Sequence, residues 1–306
     1  MTLIDTEMKP KNEPTLWRVN VIRDIKFFDY IKTKKEIGMG WATKTATKDL
    51  KAFLAEAKST FQNPKDYSRC KRALNRFALK MKIDDLCWTR DPGPNGSYYL
   101  LRIIGDWEHT TDCYHIAADL VNIRKSIWLP VGPVGAVPGA VANSFSRGGT
   151  IQRICDPSAL QYSKLIWNGQ QPQQAYPLEP GGLDILNLVS HEDLEDIVGL
   201  YLQAQGWLMI PSTAKGKNTK AHEYQLIHRT SQNGALVQVK TKENINAQSI
   251  LHDGLELFLF TMGQVHGLSK RVTVISPAKI KAFIIENPSL QSPRVKEWMK
   301  YFELQN

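Results

Sequence analysis

Cysteine is scarce. The chain has four in 306 residues, Cys70, Cys87, Cys113 and Cys155, and they form no Cys-x-x-Cys pair and no Cys/His zinc spacing. That argues against a disulfide framework or a structural zinc, and reduced thiols in a cytoplasm fit best. Long apolar runs are also missing. No stretch approaches the roughly 20 residues that span a bilayer, so no membrane association is expected. Met1-Thr2-Leu3-Ile4-Asp5 lacks the basic start and apolar core of a secretory signal. Acidic residues run short in one half only. Residues 1–150 hold 24 Lys and Arg against 16 Asp and Glu, and residues 151–306 hold 15 against 14. The formal charge of +9 is thus concentrated at the front, where it would attract polyanions without reading their sequence.

What is present divides in two. Leu16 to Ile22 alternates like a strand, and Glu36 to Trp41 reads as a strand closing on a glycine turn. Leu50 to Phe61 and Tyr67 to Met81 show helical spacing, with Asp49 and Asp66 near their starts. Strands are expected over Asp85–Thr89, Tyr98–Ile104 and Asn122–Leu129, the first two joined by the turn signal Asp91-Pro92-Gly93-Pro94-Asn95-Gly96. This order suggests a small β-barrel with helical insertions, an α+β domain over 1–167. The Gln-, Pro- and Gly-rich stretch within 168–187 reads as a linker. Over 188–306 the expected order is a helix from Ser190 to Gln205, then strands Trp207–Pro211, Glu223–Ile227 and Leu236–Lys240. A helix-sized apolar segment from Asp253 to Gln264, a strand Arg271–Ser276 and a helix from Pro293 to Phe302 complete an α/β domain.

The hairpin Glu223-Tyr224-Gln225-Leu226-Ile227 / Leu236-Val237-Gln238-Val239-Lys240 carries the chemistry. Alternation places Gln238 and Lys240 on one face and Val237 and Val239 on the other. A metal-binding oxygen beside a cationic amine, opposite an acidic strand, suits phosphodiester cleavage. His222 and His228 flank the first strand, and surface histidines are the more ordinary reading of them.

Residues 188–306 resemble the Mrr-like branch of the PD-(D/E)xK nuclease superfamily. Leu194-Glu195-Asp196-Ile197 leads to Gly206-Trp207 as in that family, and Gln238 and Lys240 match its Gln-x-Lys pair. The usual aspartate is replaced by Gln225, and Glu223, two residues earlier on the same face, would supply the missing oxygen. Residues 1–167 resemble a PUA-like or EVE-type domain, on Trp17-Arg18-Val19, Ile37-Gly38-Met39-Gly40-Trp41, Gly105-Asp106-Trp107 and Asn143-Ser144-Phe145.

The resemblance implies a modification-dependent, type IV-like restriction endonuclease acting against phage. Its catalytic residues would be Glu195, Glu223, Gln238 and Lys240. Mg²⁺ (or Mn²⁺) would be held by Glu223, Gln238, the Val239 carbonyl and Glu195. The partner is double-stranded DNA carrying a modified base, with RNA left open, and double-strand cutting would imply a homodimer. Trp41, Trp88 and Trp107 would stack on an extruded base, rimmed by Asp106, Asn143 and Ser144. Arg69, Arg72, Arg76, Lys215, Lys217 and Lys220 would meet phosphates. The alternative is a lapsed nuclease that binds modified DNA or RNA and leaves it whole.

Overall fold

Strand β1 (Leu16–Val19) is buried along its whole length. It pairs in parallel with β3 (Leu86–Arg90) and antiparallel with β7 (Ile151–Arg153). These strands belong to a computed structural model that describes residues 13–21, 25–93, 96–146, 148–179, 184–213, 222–251 and 254–303. The chain divides after residue 183 into two compact units.

In the first unit, α1 (Ile25–Thr33) precedes β2 (Glu36–Met39), and α2 (Leu50–Thr60) and α3 (Pro64–Leu74) precede β3. Then come β4 (Tyr98–Ile103), β5 (Glu108–His109), α4 (Cys113–Ala117), β6 (Asn122–Gly132), α5 (Gly139–Ser146), β7 and α6 (Pro157–Gln170). The sheet order is β2-β6-β4-β3-β1-β7, with β5 also on β6. Strand β6 changes partner along its length: residues 122–125 pair with β2 and residues 126–132 with β4. That switch curls the sheet into a half-barrel. Among the described residues no pairing joins β2 to β7, so the expected barrel does not close and the unit is mixed α+β.

Local chemistry explains the helices. Asp49 caps α2 through Lys51 N, and Phe53 and Ala57, four apart, are its buried face. Helix α3 starts three residues before the expected Tyr67, because Asn63 caps it and Pro64 fits its first turn. After Leu74 the backbone widens into a π-helical turn, Asn75–Lys80, which buries Phe77. Helix α6 has no counterpart in the apolar pattern, because it buries Ser158, Gln161, Ser163 and Lys164 along with Ala159, Tyr162, Ile166 and Trp167. Lys164 is ion-paired to Glu13 and bonded to the Pro177 carbonyl. Tyr176 reaches Asp84 O at 2.7 Å, so the described part of the Gln- and Pro-rich stretch is fastened to the first unit.

The second unit contains α7 (Ile185–Leu188), α8 (His191–Ala204), β8 (Trp207–Met209), β9 (Tyr224–His228), β10 (Gly234–Val239), β11 (Ile245–Asn246), β12 (Glu256–Phe260), β13 (Val265–His266), β14 (Val272–Ile275), α9 (Pro277–Glu286) and α10 (Pro293–Glu303). Its main sheet runs β14-β12-β10-β9-β8, antiparallel from β8 to β10 and parallel from β10 to β14. The segment expected as a helix over 253–264, of which Asp253 lies outside the described residues, instead contains strand β12 within non-helical turns. Its Leu257, Phe258, Leu259 and Phe260 are all buried between two parallel neighbours. A strand covered on both faces is apolar at every position, which erases the alternation that distinguishes strand from helix.

Helix α8 positions the site. Ser190 Oγ accepts from Asp193 N at 3.0 Å and donates to its Oδ2 at 2.7 Å, a variant capping box that fixes the first turn. Leu194, Ile197, Val198 and Leu202 form its buried stripe. Gly199 permits close approach to the sheet, since a Cβ there would lie 3.1 Å from Met209 Cε and 3.2 Å from the Tyr224 hydroxyl. That hydroxyl donates to Glu195 O at 3.1 Å, pinning the helix turn that carries Glu195 to β9. Gly206, at φ +92°, ends the helix and turns the chain into β8.

Candidate functional site

The β9–β10 register decides where Glu223 lies. Leu236 opposes Gln225, and Glu223 N donates to Val237 O at 2.8 Å, so Glu223 stands across from Gln238 on the same face. Gln238 Nε2 donates to Glu223 Oε1 at 2.6 Å, and Lys240 Nζ lies 3.4 Å from the same oxygen. From α8, Glu195 approaches together with His191, whose Nε2 is 3.0 Å from Glu195 Oε1. One ligand atom each of His191, Glu195 and Glu223 lie within 4.8 Å of one another. The four expected residues therefore converge, from one helix and two strands. Gln225 points along the same row, within 3.5 Å of His222.

The electrostatics are balanced within the chain. Two carboxylates close together repel unless cations or protons offset them. Lys240 and His191 supply that offset, and the bond to Glu195 holds the His191 imidazolium above its ordinary range. Gln238 is only 3 % exposed, yet its side chain borders an open cleft of about 300 Å³. Lys240, Glu243, Asn244, Asn246 and Ser249 also line that cleft. Ile245 and Ile250 line it too, and both belong to a buried apolar cluster with Leu236, Leu257 and Leu259. The Val239 carbonyl, expected as a metal ligand, accepts from Gln238 Nε2 at 3.3 Å. His228 lies away at the end of β9, bonded to Ser231 and edge-on to Trp207. Lys215, Lys217 and Lys220 lie outside the described residues.

The first unit carries a second candidate site. Trp41, Arg69, Arg72, Arg76, Gly148, Gly149 and Thr150 line an open pocket of about 320 Å³. Trp41 sits at φ +71°, a left-handed conformation that is costly for a bulky residue and is held by its surroundings. Buried Asn122 supplies that hold, since its amide donates to the Gly40 carbonyl while its oxygen accepts from Trp107 Nε1 at 3.2 Å. Across the pocket, buried Arg18 ties down the glycine loop through the carbonyls of Gly149 and Ser144. Arg76 leaves the π-helical turn and bonds Ile151 O at 3.1 Å. Arg69 makes a surface contact to Asp66 at 3.5 Å.

Five of the expected base-pocket residues are placed elsewhere. Trp88 is fully buried and donates to Ser163 at 2.9 Å, and Trp107 is 5 % exposed against Phe53. Both are core, because large aromatic surfaces gain most where water is excluded. Asp106 and Asn143 are exposed and do not line the pocket. Ser144 is buried, its hydroxyl bonded to Val141 O at 2.6 Å. His191, Asn122 and the 148–150 loop went unnoticed in the sequence. His191 alone left a trace there, four residues before Glu195 and so on the same helix face.

Neither the family models, nor the curated proteins, nor the solved structures yield a match to this chain. Among the described residues no helix is long and apolar enough to cross a membrane.

Proposed function

We propose that this chain is a metal-dependent endonuclease whose first unit holds modified DNA and whose second unit cuts it. One observation carries the reading: Glu195, Glu223, Gln238 and Lys240, separate in sequence, come together where Gln238 and Lys240 line a cleft. The residues suit a hard dication, which prefers carboxylate and amide oxygens. When bound, such an ion lowers the pKa of its water and offsets charge on the phosphorane-like transition state.

The chain's own groups do the rest. Glu195, from α8, and Glu223, at the start of the hairpin, would hold the ion from two different elements. Lys240 orients the attacking water or meets the charge that develops on phosphate oxygen. Before an ion binds, Gln238 keeps the Glu223 carboxylate in one rotamer by hydrogen bonding. The Trp41 pocket supports a sensor role, since an aromatic face beside three arginines suits a base and its phosphates. Restriction of phage DNA that carries altered bases is the corresponding biological role.

The test is incubation with plain and base-modified phage DNA, with Mg²⁺, Mn²⁺ or EDTA, beside Lys240→Ala. Metal-dependent cutting of some modified DNA is expected, reduced by roughly 10²–10³-fold in the variant. Wild type that binds such DNA but never cuts it would establish the lapsed-nuclease reading instead.

A further inference from the structure

The metal site contains an imidazole that a plain Mg²⁺ site would not need. His191 opens α8, and its Nε2 shares with Glu195 Oε1 a separation of 3.0 Å. Ligands about 2.1 Å from an ion stand about 3 Å apart along an octahedral edge, so this pair already has the spacing of two adjacent ligands. Glu223 brings the third atom within the same 4.8 Å circle. A second observation points to a ligand. Gln238 is almost wholly buried, both of its side-chain hydrogen bonds use the amide nitrogen, and among the described residues no donor meets its oxygen. Turning that amide over presents the oxygen to the Glu223 side, where a cation would replace the lost hydrogen bond.

We propose that His191 is a metal ligand and that the His191, Glu195, Glu223 and Gln238 set selects a first-row transition dication, Mn²⁺ among them, over Mg²⁺. Imidazole nitrogen suits transition ions, whereas Mg²⁺ favours oxygen and gives up water reluctantly. Lys240 stays beside Glu223 as the cationic neighbour and is no ligand, since an ammonium has no lone pair to offer. The role of the ion rests on the nuclease reading, but its binding does not.

The experiment uses the full chain without DNA. Mn²⁺ is titrated while free ion is followed by electron paramagnetic resonance, and Mg²⁺ is then added in competition. Wild type is expected to hold Mn²⁺ at least about tenfold more tightly than Mg²⁺, and His191→Ala to weaken Mn²⁺ by about 10–100-fold while leaving Mg²⁺ nearly unchanged. Electron spin-echo modulation on the wild-type Mn²⁺ complex supplies a readout that needs no variant, and coupling to one imidazole nitrogen is expected. Equal affinity for the two ions, or bound Mn²⁺ without nitrogen coupling, overturns the proposal. If Mg²⁺-supported cutting persists alongside such a result, the nuclease reading survives. Nitrogen-coupled Mn²⁺ on a protein that cuts no DNA sustains the site and removes the nuclease.

Discussion

The amide nitrogen of Gln238 lies 2.6 Å from a carboxylate oxygen of Glu223, which in turn lies 3.4 Å from the ammonium of Lys240. An amide occupies the position where a second carboxylate would make the site more acidic. It gives Glu223 a hydrogen-bond donor, in place of a like-charged neighbour, across the hairpin. Gln238→Glu puts two carboxylates at hydrogen-bond distance, where both ionise only if a cation intervenes. The expected outcome is lower stability without metal and Mn²⁺ affinity raised by about tenfold. Calorimetric titration and metal-free urea unfolding check the two halves separately.

Trp41 is held at a strained dihedral beside three arginines. Trp41→Ala is expected to lower affinity for base-modified DNA by about 1–3 kcal/mol, the range for a lost base–aromatic stack. Affinity for plain duplex should change much less. Competition binding with matched modified and plain oligonucleotides measures the ratio, and an unaltered ratio removes Trp41 from the sensor.

Arg69, Arg72 and Arg76 share the pocket, and among the described residues no acidic one lines it with them. If each meets one phosphate, replacing all three with Gln should reduce the slope of log K against log salt by about 2.7, since each B-DNA contact contributes roughly 0.9. The loss should be similar for every DNA sequence. A slope equal to wild type would place the phosphate contacts elsewhere.

His115, 6 % exposed, bonds Glu36 at 2.8 Å and Asp112 at 2.9 Å through its two ring nitrogens. The bond to Glu36 leads in holding the imidazolium above its ordinary 6.5. Burial pushes the Glu36 carboxyl up, but its bonds to His115 and Lys125 outweigh that and hold it below 4.5. The His115 contribution is therefore complete below about pH 6.5 and lost as pH rises through the higher folded value. The Glu36 contribution is complete above about pH 4.5 and lost as pH falls through the lower folded value. Stability from this cluster should be greatest between about pH 4.5 and 6.5. His115→Gln should cost roughly 1.5–3 kcal/mol at pH 6, and less at pH 8.5. Urea midpoints at the two values test this, and equal losses at both would remove His115 as the titrating group.

Hairpin, helix cap and turn signals in the sequence were local, and they located much of the second unit. Ser190 capping α8, Gly206 ending it and the alternation of Val237, Gln238, Val239 and Lys240 each follow from backbone geometry within a few residues. The site pair Gln238 and Lys240 was legible for the same reason. Strand β12 was not, because burial on both faces removed its period, and α6 was not, because its buried residues mix polar with apolar side chains.

Only the tertiary structure decided the rest. It placed His191 beside Glu195 and Glu223, withdrew Trp88 and Trp107 into the core, and left Trp41 at the mouth of a pocket with the arginines of α3 and the π-helical turn. A tryptophan's composition is the same in a core and in a pocket, and a histidine's is the same on a surface and beside an ion. What separates them is which distant backbone segment packs alongside, and that is set by long-range pairing and burial, whose partners no local pattern names.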